Sequence, residues 1–238
     1  MSNSAFQFKE FKVEQDRCAM KVGTDGVLLG AWTDIDSNVN SILDIGTGTG
    51  LIALQMAQRS AAETIDAIEI EPMAYEQAVE NFENSSWADR LFCYHASLQE
   101  FASEMDEKYD LIVSNPPYYN DTFKKLNHGR ALARHTQQLS FKDFLVAAAQ
   151  LLSSDGSIAC IIPYTEESNF LNLAREVDLF PTRVSRYRGT PKNDLKRSLI
   201  QLNREKSIHQ EEEFFLEHSR HQYSDHYKDL VCDFYLKL

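Results

Sequence analysis

The sequence lacks any stretch of about 18 continuous apolar residues, since a charged or polar residue interrupts every candidate run, so no membrane-spanning helix is expected. It also lacks an apolar N-terminal run of the signal-peptide kind. Cysteine is sparse: Cys18, Cys93, Cys160 and Cys232 stand far apart and form no C-x-x-C pair, which predicts a reduced, cytoplasmic protein and excludes a disulfide scaffold. Positive charge is in short supply. Lys plus Arg is 24 against 36 Asp plus Glu, a formal charge of -12, which excludes a general polyanion-binding surface and leaves room only for a local basic face. There is no repeat and no Gly/Ser/Pro linker long enough to divide the chain. What is present is 238 residues, 43% hydrophobic and 11% aromatic. A chain of that size can bury roughly 70–75% of its unfolded surface, and this composition excludes disorder over most of its length. The simplest partition is one domain, residues 41–238, behind an N-terminal extension, residues 1–40, that packs on a ligand site.

From Ser41 to about Arg204, short β-rich apolar runs alternate with longer helical stretches, the pattern of an α/β fold with a mostly parallel sheet. Residues 41–45, 64–70, 91–95, 109–114 and 157–163 read as strands covered on both faces, because they are apolar almost throughout. Residues 51–60, 72–84 and 141–152 carry apolar side chains at helical spacing, with Pro72 in a first turn and Ser140 as an N-cap. Further on, a helix is predicted over 166–177, strands over 182–187 and 197–203, an edge strand over 211–217 and an amphipathic helix over 224–238.

The most specific pattern is D-I-G-T-G-T-G, Asp44 to Gly50, which leaves an apolar strand and opens a helix. Glycines at 46, 48 and 50 let the backbone turn sharply and approach a ligand closely. The spacing departs from the G-x-G-x-x-G dinucleotide fingerprint, so a nucleotide-like ligand other than NAD is expected. Glu69 ends the next strand about 20 residues on, where a carboxylate can accept from both hydroxyls of a ribose.

The strand 109–114 runs into Asn115-Pro116-Pro117-Tyr118. Strand carboxyl ends are where open α/β sheets bind ligands. Two prolines stiffen the backbone and leave their carbonyls as fixed acceptors, which suits an NH2 group. Acceptance from both N–H bonds by the Asn115 side-chain oxygen and the Pro116 carbonyl would pyramidalise a delocalised amine and free its lone pair for an electrophile. Tyr118 would stack on the planar substrate.

In these residues the chain resembles the S-adenosylmethionine-dependent methyltransferases of the seven-stranded Rossmann-like class, in the branch that methylates amines. The resemblance covers about residues 41–204 and implies a doubly wound, mostly parallel sheet. By it, Asp44, Gly46, Thr47, Gly48 and Gly50 would hold the methionine part of the cofactor, Glu69 with Ile70 the ribose, Ala96 and Ser97 the adenine edge, and Asn115 to Tyr118 the target amine. Members often carry Asp after the third strand for the adenine amino group, whereas this chain reads His95-Ala96-Ser97-Leu98, so a serine oxygen or a backbone group must substitute.

The motif alone leaves open adenine N6, guanine N2 in ribosomal RNA and the glutamine amide of release factors. The short segment before Asp44 argues against the last, whose enzymes place a separate helical domain there. Phe6-Gln7-Phe8, the run Met20 to Trp32, Ala133-Arg134-His135 and the closing pattern from Tyr223-Ser224 to Tyr235-Leu236 are similar to the bacterial enzymes that methylate N6 of adenine 37 in a valine tRNA. That likeness implies a tRNA substrate, a cytoplasmic location, no membrane contact and no obligate protein partner. It also puts Lys21 beside the cofactor's carboxylate, with Thr24 and Asp25 either capping the helix that ends at Trp32 or touching the cofactor.

An RNA substrate must be reconciled with the acidic total. Arg183, Arg186, Arg188, Lys192, Lys196, Arg197, Arg204 and Lys206 face only Asp194 and Glu205 in sequence, and Lys124, Lys125, Arg130, Arg134 and Lys142 face only Asp121. Lys124, Arg130, Arg134, Arg186, Arg188 and Lys192 are the phosphate-contact candidates, with the acidic run 211–217 facing away. His218, His221 and His226 lack cysteine partners and a closed ligand set, so they read as surface histidines and no metal is expected.

Overall fold

Residues 5–116 and 139–237 are described in a computed structural model of the chain. It opens with an antiparallel hairpin, β1 (Ala5–Gln7) and β2 (Lys12–Glu14), and helix α1 (Thr24–Trp32). The alternating part follows as β3 (Ser41–Ile45), α2 (Leu51–Arg59), β4 (Thr64–Glu69), α3 (Pro72–Glu83), β5 (Leu91–His95), α4 (Leu98–Glu104) and β6 (Tyr109–Ser114). From residue 139 on come α5 (Phe141–Leu151), β7 (Leu152–Pro163), a single 3-10 turn over Tyr164–Glu166, α6 (Glu167–Glu176), β8 (Phe180–Arg188) and β9 (Arg197–Asn203). The chain closes with β10 (Gln210–Phe215), the small hairpin β11 (Glu217–Ser219) and β12 (Gln222–Tyr223), and α7 (Asp225–Val231).

Eight strands form one sheet in the order β10-β8-β9-β7-β6-β3-β4-β5. All neighbours are parallel except β9, which runs antiparallel to β7 and β8. The seven strands of the expected class are therefore present, and the edge strand expected over 211–217 is β10, an eighth, parallel to β8. Successive side chains of a strand face opposite sides of a sheet, and here both sides are apolar. Ile42, Leu111, Val113, Ala159 and Ile161 pack with α1, α2 and α7, while Leu43, Ile112, Ile158, Cys160 and Ile162 pack with α4, α5 and α6. This two-sided burial is why the strands read as continuous hydrophobic runs. Each buried Leu, Ile or Phe stabilises the fold by about 1.5–3 kcal/mol relative to exposure.

The extension is part of that core: Phe8, Phe11, Val13 and Val27 to Leu29 are buried against β3, α2 and the C-terminal Phe234. Two local expectations are corrected, and two elements were not anticipated. The hairpin β1–β2 and helix α4 carry too few periodic residues to be read from pattern. The C-terminal helix is only Asp225–Val231, N-capped by the Ser224 hydroxyl, because Phe234 and Tyr235 leave helical geometry to pack on Phe8 and Phe6. Helix α1 begins at Thr24 with Gly23 as its N-cap and no side-chain cap, so neither Thr24 nor Asp25 caps it. Pro72 and Ser140 do stand where expected, at the first turn of α3 and the N-cap of α5.

Candidate active site

Strand order reverses at β3: the chain proceeds outward through β4 and β5 on one side and through β6 and β7 on the other. The crevice at the carboxyl ends of β3 and β6 is the place where an open α/β sheet binds ligands. Ile45 and Ser114, the last residues of these strands, are register partners. The glycine loop and Asn115 therefore leave the sheet side by side.

The loop is shaped by three left-handed residues, Gly46 (φ +71°), Gly48 (φ +57°) and Gly50 (φ +82°). A Cβ added at Gly46 or Gly48 would meet nothing within 4 Å, so both border open space, whereas one at Gly50 would lie 2.5 Å from Phe82 Cε1. Gly46 and Thr47 donate from their backbone to the Ile68 carbonyl at 2.9 and 3.1 Å. Asp44 sits beneath the loop, fully buried; its Oδ2 accepts from the Thr47 hydroxyl at 2.6 Å and from the Ala53 N–H at 3.1 Å, in the first turn of α2. Its Oδ1 is buried without a partner among the described residues. Burial raises its pKa to about 7, opposed by the Thr47 and Ala53 hydrogen bonds and assisted by the Glu69 charge. Asp44 thus holds the loop and the helix start together from below.

Glu69 is half-buried at the tip of β4. Its Oε2 accepts from Gly48 N–H at 2.9 Å, and its Oε1 from Ile70 and Glu71 N–H, both at 2.9 Å. A carboxylate has about four acceptor sites, so a diol can enter only by exchange with one of these three. Ile70 beside it is an exposed apolar side chain, 43% accessible. Open space at two glycines, an unpartnered buried carboxyl oxygen that a nearby cation would favour in its ionised form, a carboxylate at the crevice and an exposed isoleucine fit a cofactor with a cationic amino acid end, a ribose and a flat ring.

Ala96 and Ser97 are placed differently from the expectation. Ala96 N–H is taken by the Glu69 carbonyl at 3.2 Å. Ser97 N-caps α4 in a capping box: its N–H and hydroxyl donate to Glu100 Oε2 at 2.9 and 2.6 Å, and its oxygen accepts from Glu100 N–H at 3.2 Å. Those hydrogen bonds hold the Glu100 carboxyl below its usual range. The serine oxygen is committed to the helix, so it is not the free acceptor that the missing Asp requires. The S-x-x-E signature of Ser97 and Glu100 is legible in the sequence, and it is the signal that the adenine-edge expectation passed over.

Of the amine-binding motif, Asn115 is half-buried and Pro116 buried at the end of β6; Pro117 and Tyr118 lie outside the described residues, as do Lys124, Arg130 and Arg134. Lys21 and Thr24 are exposed. The segment bearing them is tied at both ends. Asn81 on α3 donates to the Glu14 and Thr49 carbonyls at 2.9 and 2.8 Å, linking the extension to the glycine loop, and Gln77 accepts from Arg17 N–H at 3.2 Å. Cys18, on the same segment, has its thiol pushed up to about 11 by burial and by the nearby Glu69 and Glu71 carboxylates. At the other end, Asp25 accepts from the Tyr187 hydroxyl at 2.5 Å and from Arg197 Nε at 2.8 Å. Residues 14–25 therefore run from α3 past the glycine loop to the β8–β9 end.

The basic residues of β8 are engaged from the side expected to face away. Glu212, Glu211 and Glu213 on β10 pair with Arg183, Arg186 and Arg188 at 3.1, 2.7 and 2.5 Å. Arg186 also makes a bidentate contact with the buried Glu167, at 2.7 to 3.0 Å, which Ser198 completes. Arg186 is thus built into the fold, and its position as a phosphate contact is corrected. Arg188 is likewise paired, though nearer solvent. Lys192 is exposed in the β8–β9 turn. His218 and His226 lie against Phe215 and Phe214, with ring centroids 4.9 and 4.5 Å apart.

Comparison with known proteins agrees with this geometry. Residues 27–177 match the family model described as methyltransferase small domain. Over 240 residues, covering 100% of both chains, the sequence is 55% identical to a tRNA1(Val) (adenine(37)-N6)-methyltransferase of Christiangramia forsetii. It is 52% identical over 98% of its length to all of the enzyme so named from Flavobacterium psychrophilum. In fold it is similar to a predicted O-methyltransferase of Agrobacterium tumefaciens, at a TM-score of 0.68 and 19% identity, over 88% of this chain and 96% of that one.

Proposed function

The chain belongs to the family of tRNA1(Val) (adenine(37)-N6)-methyltransferases, and from that premise we propose that it methylates the N6 amine of adenine 37 in this tRNA at the carboxyl ends of β3 and β6. The observation that carries the site assignment is the register of Ile45 with Ser114, which sets the glycine loop and Asn115 on neighbouring strands. S-adenosylmethionine, when bound, supplies an electrophilic methyl group on a sulfonium whose departure leaves a neutral thioether.

The residues present divide the work. Gly46 and Gly48 give the close backbone approach, Glu69 exchanges a backbone hydrogen bond for the ribose, and Ile70 offers an apolar surface to the adenine ring. Lys21 and Thr24 stand on the segment tied past the loop, where the carboxylate end of the donor would lie. Asp44 acts from below, by holding Thr47 and Ala53. Asn115 and the Pro116 carbonyl accept the two N–H bonds of the adenine amine, so that its lone pair is directed at the methyl group, and Pro117 and Tyr118 complete the cradle. Positioning carries most of the rate in such a displacement. No strong base is needed beforehand, because the nitrogen becomes acidic once methylated and releases its proton to water. Extracting the adenine from its stack costs a few kcal/mol, offset by contacts to Tyr118 and by phosphate contacts from Lys192 and from Lys124, Arg130 and Arg134. A tRNA substrate places the reaction in the cytoplasm.

The test is incubation with unmodified tRNA and a donor labelled in its methyl group, followed by mass spectrometry of the nucleosides. N6-methyladenosine at position 37 is expected. Asn115→Ala should lose most turnover with donor affinity nearly intact; near wild-type turnover in that variant would end the amine-cradle assignment.

A further inference from the structure

The rim of the crevice beyond β7 has a feature that the reaction itself does not use. Ser114, the last residue of β6, is in register with Cys160, so β7 continues three residues further, to Pro163, before the chain turns at Tyr164. At about 3.3 Å per residue and 4.8 Å per strand step, Tyr164 stands outward of Asn115, at the mouth of the crevice. Tyr164 is 39% exposed, and its side chain has no hydrogen bond or ring contact among the described residues. Its backbone is fixed: Tyr164 N–H donates to the Lys196 carbonyl at 3.2 Å, and Lys196 N–H donates to the Tyr187 carbonyl at 2.8 Å.

That second contact brings the β8–β9 turn to the same rim. The turn is ordered by Asn193, whose side-chain oxygen accepts from Thr190 N–H at 2.9 Å and from its hydroxyl at 2.8 Å. It presents Lys192 and Lys196, both exposed and, unlike Arg183, Arg186, Arg188 and Arg197, without an ion pair among the described residues. Asp194 is the one acid exposed between them. An aromatic face held on a rigid turn, with two unpaired ammonium groups behind it, is the combination that binds single-stranded nucleic acid: a base on the ring and phosphates on the cations.

Resting on the tRNA reading above, we infer that Tyr164 stacks a nucleotide flanking the target adenine while Lys192 and Lys196 hold the adjoining backbone phosphates. The flanking nucleotide is the occupant because Tyr164 is displaced outward from Asn115, too far along β7 to cover the reacting base itself. Tyr164 is therefore a positioning residue. It keeps the loop strand splayed so that the adenine enters the crevice.

The experiment measures steady-state methylation of unmodified tRNA by the full chain, with donor affinity by calorimetry and thermal midpoint alongside. Tyr164→Ala should raise the tRNA KM roughly five- to hundred-fold, the range that base–aromatic stacking spans, while donor affinity and thermal midpoint stay at wild-type values. Tyr164→Phe should retain a wild-type KM. Lys192→Gln with Lys196→Gln should flatten the dependence of log tRNA affinity on log salt by about 1.4, roughly 0.7 for each single-strand phosphate released. Unchanged KM in Tyr164→Ala, equal loss in Tyr164→Phe, or an unchanged salt slope in the lysine variant overturns the inference while wild-type protein still methylates tRNA. Failure of the wild type to methylate tRNA at all takes down the tRNA reading and this inference together.

Discussion

Gly48 donates its backbone N–H to Glu69 Oε2 across 2.9 Å, so the turn proposed to approach the donor and the acid proposed to receive its ribose are one hydrogen-bonded unit. Glu69→Ala removes the ribose partner and also releases the loop. Donor affinity should fall by about 1–3 kcal/mol, the scale for lost charge-assisted hydrogen bonds. Titration calorimetry decides it, and unchanged affinity would remove Glu69 from the site.

The three loop glycines separate shape from space. Gly48→Ala adds a methyl group into open volume at φ +57°, so its stability cost is limited to backbone strain of about 1–2 kcal/mol, yet on the proposed reading the added carbon occupies the donor's space. Gly50→Ala meets Phe82 at 2.5 Å in addition to the strain at φ +82°. Chemical denaturation should rank Gly50→Ala as the more destabilised, and calorimetry should show Gly48→Ala losing donor affinity out of proportion to its stability. The reverse ranking would mean that Gly48 faces no ligand.

The parallel strands, the glycine loop and Glu69 were legible because they rest on local pattern: two-sided burial makes a continuous apolar strand, and a left-handed turn demands glycine. Contacts set by tertiary pairing were not. Asp25 resembled a helix cap, yet its partners Tyr187 and Arg197 lie far along the chain, at the far side of the sheet. The Glu211 to Glu213 run looked solvated, and only the parallel addition of β10 to β8 sets it against three arginines. Ser97 was a different case: its partner Glu100 is three residues away, and reading the site by analogy passed over a local capping signal.

Asp44 should make stability depend on pH in a definite direction. Its pKa is raised to about 7 in the fold, from an ordinary value of 3.8. Between pH 4 and pH 7 the folded state therefore holds a proton that the unfolded chain has released, so this residue lowers stability as pH rises through that window and adds no further change above it. The accumulated effect is on the order of 4 kcal/mol, at about 1.4 kcal/mol per pKa unit. Asp44→Asn does not titrate. Denaturant melts from pH 4 to 8 should show the stability of the wild type relative to this variant declining up to about pH 7 and then levelling; a constant difference would mean that Asp44 is ionised throughout.

Arg186 provides the sharpest contrast between charge in the sequence and charge on the surface. Its side chain is only 17% exposed, and the guanidinium touches Glu167 by both oxygens and Glu211 by one. The hydrogen bonds it donates to Glu167, foremost, hold its pKa above the ordinary arginine value. Arg186→Ala would leave the Glu167 carboxylate buried with the Ser198 hydroxyl as its remaining side-chain partner. Breaking a buried pair costs about 3–5 kcal/mol; solvent reaches this one from the Glu211 side, so about 3 kcal/mol is expected. In a domain of this size that lowers the thermal midpoint by roughly 2–4 °C per kcal/mol. Replacing both buried partners, as in Arg186→Met with Glu167→Leu, should recover much of the loss, because no buried charge is then left unpaired and the exposed Glu211 is solvated. The tRNA KM of the folded single variant should stay near wild type, in contrast to Lys192→Gln with Lys196→Gln. A raised KM with an unchanged midpoint would instead show that RNA displaces the two glutamates from Arg186, and that the ion pairs serve as a gate for phosphate.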